Sequence, residues 1–288
     1  MSTTLKLTPA EIGALHDALV GDGFEFRDLQ YAHYQARGVG VIVSAYKSGK
    51  VVVQGKAAAD FLARHGFAES APAVLDGPVG GSDESGKGDY FGPIVVAAVV
   101  VTPAQVEELT RAGVRDCKQM SDGPVMRAAA AIRQLCAFKV CALTPTEYNA
   151  RHEAEGNVAL FLSTMHAEAL AGAVLQDPSC EQLVIDQFTF VERLKEALRV
   201  AGVDLPVEIR PKAEDNIAVA AASVLARAEF LIGLRELGNE HGVELPKGAS
   251  KQVEQVARRI FREGGMTALE SVAKIHFKTT TRVTQQLF

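Results

Sequence analysis

Residues 81–93 read GSDESGKGDYFGP. Gly81, four residues, then Gly86 and Lys87 come within one residue of the P-loop pattern G-x-x-x-x-G-K-[S/T], which would make this stretch a nucleotide cradle. Three features reject that reading. Gly88 stands where the loop needs a Ser or Thr for magnesium. The apolar run 94–101, IVVAAVVV, follows the glycines instead of preceding them. Asp83 and Glu84 also sit where backbone N–H groups should meet phosphate, and negative charge facing a polyphosphate is repulsive unless a cation intervenes. The two acids ask for another use. Neighbours on a strand point to opposite faces, so both reach one site only where the chain bends. Gly86 and Gly88 permit such a bend and a close backbone approach by a ligand. Taken alone, the stretch reads as a surface turn.

The surroundings add weight to the acids. The chain has 288 residues, 48% hydrophobic and 23% charged, as expected of a globular protein with a sizeable core in one or two domains. No apolar run reaches the roughly 20 residues that span a bilayer, and the N-terminus lacks a signal-peptide pattern. Cys117, Cys136, Cys141 and Cys180 form no C-x-x-C pair, which fits a reduced, cytoplasmic setting. The net charge of -5 argues against a generically basic nucleic-acid binder, but it is unevenly spread. Residues 1–72 are neutral, 73–246 carry -10 and 247–288 carry +5. An acidic middle beside a basic tail fits a cation-binding centre flanked by a phosphate-contacting edge.

The N-terminal part predicts a small α+β domain. TPAEIGALHDALV (8–20) is a capped helix, with Thr8 as N-cap, Pro9 in the first turn and Glu11 completing a capping box. Short strand-like pieces follow. AYKSGKVVVQG (45–55) reads as a hairpin turning at Ser48-Gly49, and KAAADFLARHGF (56–67) as a helix ended by Gly66. The Ala-, Pro- and Gly-rich residues 68–81 are a linker. Beyond them strands alternate with helices: strands at 90–101, 138–145, 181–188 and 207–211, and helices at 122–137, 145–176, 191–202 and 216–237. That alternation predicts an α/β domain with a mixed sheet.

Further acids lie at element ends. Asp186 closes the apolar strand in LVIDQF, where a carboxylate is costly unless paired or metal-bound. Glu214 and Asp215 precede the long Ala-rich helix, where capping is their ordinary duty. Three such places on one α/β sheet can converge on a pocket. Carboxylates without His or Cys favour hard cations, Mg2+ or Mn2+. A pair of these ions can activate water and stabilise the leaving oxygen of a phosphodiester.

These residues together resemble the type 2 ribonucleases H. GSDESGKGDYFGP is similar to their first motif, D-E-[A/S]-G-[R/K]-G, and the lysine form with Tyr90-Phe91 looks like the HIII branch. RDCKQMSD (115–122) resembles the D-S-K segment, with Asp116, Lys118 and Ser121 in place and Cys117 where Ser is usual. EYNARHEAEGNVALFLSTMH carries Tyr148, Asn149, Asn157 and His166 of the HIII pattern. VIDQF and KAEDNIAVAAASVLAR resemble the third and fourth acid motifs, and LPKGAS and AKIHFKTT the C-terminal end.

The resemblance covers nearly the whole chain. It implies a TATA-binding-protein-like substrate-binding domain over 1–70, a linker over 71–79, and a ribonuclease H-like catalytic domain, a mixed sheet flanked by helices, over 80–288. It implies metal ligands at Asp83, Glu84, Asp186 and Glu214, with Asp215 an alternative to Glu214. It implies an Mg2+- or Mn2+-dependent cut in the RNA strand of an RNA–DNA hybrid, leaving 5′-phosphate and 3′-hydroxyl ends. The lysine form implies poor cutting at a single ribonucleotide in DNA. Ser85, Gly86, Lys87, Gly88, Lys118 and Ser223 are expected to bind substrate, Ser223 alternatively bonding back to its own helix. His166 reads as core or surface ahead of a substrate role, His276 and Lys278 as phosphate contacts, and Tyr31 and Tyr34 as packed. Lys47, Lys50 and Lys56 make a local basic patch by the hairpin. A monomer without protein partner or membrane is expected. A DNA nuclease on the same sheet would lack the Gly86-Lys87-Gly88 turn, and a purely binding module would not need four acids at element ends.

Overall fold

The computed structural model describes residues 2–38, 40–58, 61–62, 65, 75–114, 120, 122–211 and 213–285. The chain divides into two compact units, Met1–Ala71 and Pro72–Phe288.

In the first unit, strands β1 (Ser2–Lys6), β2 (Glu25–Arg27), β3 (Ala32–Gly38), β4 (Val41–Tyr46) and β5 (Lys50–Gly55) form an antiparallel sheet in the order β1-β5-β4-β3-β2. Helix α1 (Pro9–Gly21) starts as its sequence dictates. The Thr8 hydroxyl accepts from Glu11 N at 3.3 Å, and Glu11 Oε2 accepts from Thr8 N at 2.7 Å. Ile12, Leu15 and Leu19, three to four residues apart, bury one helix face with Val43, Val51 and Val53 of the sheet. The β4–β5 hairpin turns at Gly49, whose φ of 83° suits glycine. Strand β1, polar and short, has no counterpart among the expected elements. The helix expected over 56–67 lies mostly outside the described residues, although Ala58, Phe61 and Leu62 are buried. Tyr34 is packed, its hydroxyl donating to Ile12 O at 3.2 Å, but Tyr31 is 75% exposed with φ 63°, against the expectation that it packs.

In the second unit, strands β6 (Val79–Ser85), β7 (Ile94–Val101), β8 (Ala137–Leu143), β9 (Gln182–Asp186) and β10 (Val207–Arg210) take the order β10-β9-β6-β7-β8. The first three form an antiparallel meander, and β9 and β10 add in parallel beside β6. All eight residues of β7 are buried, because both faces of the sheet are covered. Val95, Ala97, Val99 and Val101 meet α3 (Asp122–Leu135) and α7 (Ile217–Glu240) on one side. Ile94, Val96, Ala98 and Val100 meet α5 (Val158–Gln176) and α6 (Val191–Val200) on the other. Helices α2 (Val106–Arg111), α4 (Pro145–Glu155), α8 (Lys251–Val272) and α9 (Lys278–Thr284) complete the unit.

Three expectations need correction. Strand β6 begins at Val79, so the end of the presumed linker and the presumed turn are sheet; pairing with β7 and β9 on both sides imposes this on a Gly- and Ser-rich segment. The stretch VGGSDES thus places a strand ahead of the glycine turn, although not one of apolar composition. Helices α5 and α7 are also long and apolar enough to cross a membrane, with mean hydropathy of 1.6 and 1.8, contrary to the expectation from apolar runs. Isolated residues such as Glu168 and Arg227 interrupt them without ending the apolar character. Half of the α5 window and 78% of the α7 window are buried against the sheet and neighbouring helices, which explains their composition without a bilayer. Among the described residues Cys136, Cys141 and Cys180 are free thiols.

Candidate active site

Strand β6 has two faces, and each does separate work. Gly81 and Asp83 face α7. A Cβ at Gly81 would lie 2.4 Å from backbone atoms of Ala218 and Val219, so only glycine lets the helix come this close. That approach sets Ser223 to hydrogen-bond Asp83, whose Oδ1 also accepts from Glu84 N at 2.8 Å. Asp83 is 8% exposed. Burial, and secondly the charge of Glu84, push its carboxyl up to about 6.

Ser82 and Glu84 face α5. Between them stands His166, 1% exposed, with Nδ1 2.9 Å from Ser82 Oγ and Nε2 3.2 Å from Glu84 Oε2. A carboxylate only accepts, so Nε2 carries a proton here. Lys87 Nζ donates to the other Glu84 oxygen at 3.2 Å. Burial favours the neutral acid, but the His166 hydrogen bond and charge, with Lys87, outweigh it and hold Glu84 down to about 2. Phe188 stacks on His166, with ring centroids 4.4 Å apart.

The parallel pairing of β9 sets Ile185 opposite Ser82, so Asp186 and Asp83 follow at the next level, at the same end of neighbouring strands. Asp186 Oδ1 accepts from Ala213 N at 3.2 Å, which ties it to the 3-10 turn Ala213–Asp215. A cleft of about 350 Å³ is lined by Asp83, Glu84, Asp186, Ser223 and the turn 85–89. Glu214 and Asp215 do not line this volume. Glu214 is half-buried, whereas Asp215 is exposed and binds Arg210 at 2.5 Å. Lys118, Asp116 and Ser121 lie outside the described residues.

Gly86 has φ 90°, and a Cβ there would lie 2.2 Å from Pro93 O, so the turn demands glycine. Gly88 has open space around it and no such demand. Behind the turn, segment 89–92 is fastened to the C-terminal region. Tyr90 O accepts from Lys274 N, Gly92 N donates to Val272 O, and Tyr90 Oη bonds Thr280 Oγ1. Lys274 is fully buried, and its ammonium donates to the carbonyls of Asp89 (3.0 Å), Phe91 (3.5 Å) and Gly92 (2.6 Å). His276, expected as a phosphate contact, stacks on His152 at 4.2 Å and on Tyr148, away from the cleft lining.

Among the described residues, no three His, Cys, Asp or Glu side chains stand in a metal-ligating cluster. Glu84 is turned to His166 and Lys87, and Asp83 to Ser223. The donor set still suits a hard cation. It is all carboxylate, and Asp83 is a buried acid whose charge only weakly finds positive compensation.

Residues 80–280 match the family model "Ribonuclease HII", and residues 4–73 match "Domain of unknown function (DUF3378)". Ribonuclease HIII of Protochlamydia amoebophila is 35% identical over 286 residues, covering 96% of this chain and 94% of the relative. The chain belongs to the ribonuclease HIII family. The ribonuclease HIII of Chlamydia abortus is 37% identical over 287 residues, covering 95% of this chain and 94% of that one. The structure of Bst-RNase HIII in complex with Mn2+ superposes with a TM-score of 0.69 at 30% identity, covering 99% of each chain. As a ribonuclease HIII family member the chain is a ribonuclease H-type endonuclease with a ribonuclease H-like fold, of a family whose members depend on divalent metal.

The sequence pattern did not assign His166 to Glu84 and gave no part to Asp89, Arg227, Lys247 or Lys274. For His166 a signal existed: a histidine within the apolar run LFLSTMHAEAL needs a polar partner.

Proposed function

We propose that this cleft hydrolyses the RNA strand of RNA–DNA hybrids with Mg2+ or Mn2+, leaving 5′-phosphate and 3′-hydroxyl ends. The observation that supports it most is the level placement of Asp83 and Asp186 at the ends of parallel neighbours, beside the Gly86-Lys87-Gly88 turn. Asp83, Glu84, Asp186 and Glu214 would hold the metal. Glu214 is favoured over Asp215 because it is half-buried, whereas Asp215 is exposed. When bound, the ion supplies an activated water and stabilises the leaving oxygen.

The chain's own groups position and select. Ser223 and the Glu84 amide fix Asp83. His166 and Lys87 hold Glu84 charged. The backbone of Ser85, Gly86 and Gly88, which lines the cleft, can meet the 2′-hydroxyls that distinguish RNA from DNA. Lys87, 43% exposed, can trade Glu84 for phosphate as a point charge, and Lys118 would contact the backbone too. Residues 1–70 are the substrate-binding domain in this reading, resembling a TATA-binding-protein fold. Exposed Lys47, Lys50 and Lys56 supply its basic patch. The enzyme works as a cytoplasmic monomer.

The test uses end-labelled RNA paired with DNA beside a DNA duplex holding one ribonucleotide, each with Mg2+ or Mn2+. The expected result is several cuts in the hybrid and little at the single ribonucleotide. Asp83→Asn should abolish cleavage while hybrid binding survives. No cut in either duplex would refute the reading, and a clean cut at the single ribonucleotide would refute its specificity.

A further inference from the structure

Besides its acids and Lys87 of the glycine turn, the cleft is lined by two further cations, Arg227 and Lys247. Arg227 follows Ser223 by four residues on α7, so the two share a face, about 6 Å apart along the axis. Ser223 bonds Asp83, so that face looks into the cleft. Lys247 arrives from the loop before α8. Its neighbour Gly248 donates N–H to Asp89 Oδ1 at 2.6 Å and accepts from Tyr90 N at 2.9 Å, which fixes the backbone carrying Lys247 to the segment after the glycine turn.

Both cations meet at one carboxylate, Asp122. Arg227 Nη2 lies 3.1 Å from its Oδ1, and Lys247 Nζ lies 3.0 and 2.9 Å from its two oxygens. Asp122 and Lys247 are nearly half exposed, at 49% and 46%. Arg227 is 22% exposed, whereas the wetted contacts of Lys247 to Asp122 contribute about 0–1 kcal/mol, too little to explain them as a stabilising device. They are also easily exchanged. A phosphodiester offers oxygens to both cations at once without the carboxylate's tether.

We propose that Arg227 and Lys247 form a phosphate subsite for the backbone of the bound nucleic acid, one helical turn from the reacting position. Asp122 is the internal counter-ion that keeps the two cations aligned and yields them when the strand docks. The proposal rests on the reading of the cleft as a hybrid-cleaving site. Its ligand is a strand phosphodiester, not free phosphate.

The experiment measures hybrid affinity of the full chain across a KCl series in Ca2+, for the parent, Lys247→Gln, Arg227→Gln, Asp122→Asn and the surface control Lys251→Gln, with thermal melts of each. Each lost phosphate contact should flatten the log–log salt slope by about 0.9. Lys247→Gln and Arg227→Gln are expected to show this, with KM rising by a larger factor than kcat falls. Asp122→Asn should bind hybrid more tightly than the parent, and Lys251→Gln should keep the parental slope. Parental slopes in folded Lys247→Gln and Arg227→Gln would overturn the subsite while leaving the hybrid reading intact. Loss of inorganic-phosphate inhibition in these variants with an unchanged hybrid slope would overturn it equally, in favour of a free-phosphate pocket. Failure of the parent to bind hybrid would overturn both.

Discussion

Gly81→Ala tests the close approach on which the site depends. The new methyl would lie 2.4 Å from the Ala218 carbonyl carbon and the Val219 nitrogen, where ordinary contacts begin at 3.4 Å. The gap between β6 and α7 would have to widen by about 1 Å, and no rotamer relieves the clash because the atoms are helix backbone. Overpacking of this kind costs about 1–3 kcal/mol. Widening also pulls Ser223 from Asp83, a hydrogen bond to a charged group worth about 1.5–3 kcal/mol. We expect urea unfolding to show a loss of about 2.5–6 kcal/mol with an unchanged m-value. Single-turnover hybrid cleavage should fall about 100-fold, as a 1 Å displacement of catalytic groups predicts. Gly80→Ala is the control one residue away. Its methyl meets the Leu183 Cδ2 at 2.7 Å, a side-chain end that can turn aside, so the loss should stay under about 1.5 kcal/mol. Parental stability and rate in Gly81→Ala, or equal damage from Gly80→Ala, would refute the reasoning.

Other expectations follow from the same geometry. The Asp83 carboxyl is raised to about 6 in the fold against 3.8 for an unperturbed aspartate, so the folded state binds more protons between those values and stability rises as pH falls from about 6 to about 4. In chelator, Asp83→Asn should therefore stabilise the protein at pH 7 by up to about 3 kcal/mol, with the gain fading as pH falls from about 6 to about 4; a pH series of melting curves decides. Lys274→Met strips three carbonyls, two of them in buried contacts, of their donor and should cost about 2–5 kcal/mol by denaturant unfolding, whereas a parental midpoint would mean the Lys274 amine is dispensable. Glu214→Gln should weaken Mn2+ binding by calorimetry at least tenfold while Asp215→Asn leaves it unchanged, and the reverse pattern would transfer the fourth carboxylate to Asp215.

What was legible in the sequence was what local pattern encodes. The capping box of Thr8 and Glu11, the hairpin at Ser48-Gly49, the all-apolar β7 and the acid closing β9 each carry their own signal within a few residues. Strand β6 did not, because VGGSDES has turn composition and is extended only through its two neighbours. The partnership of His166 with Glu84 spans 82 residues, so only folding brings it about. Lys274 was invisible for a different reason: its partners are backbone carbonyls, which leave no trace in residue type. The meeting of Arg227 and Lys247 at Asp122 spans 105 and 125 residues, so no local pattern announces it. Helix α8 was obscured by Gly264 and by Gly265, whose φ of 67° and ψ of -158° break it internally.

The buttress behind the glycine turn bears on how the protein is made. Asp89 and Lys274 are 185 residues apart, and Tyr90 and Thr280 are 190. During synthesis all the acids emerge before the segment that braces their turn. A nascent chain therefore carries all four candidate carboxylates, once Glu214 has emerged, for about 60 residues of elongation before Lys274 arrives to support the turn. On the proposed reading of the cleft, competence to cut arrives with residues 272–280, and a ribosome stalled upstream of them holds a chain that has its candidate metal ligands without their brace.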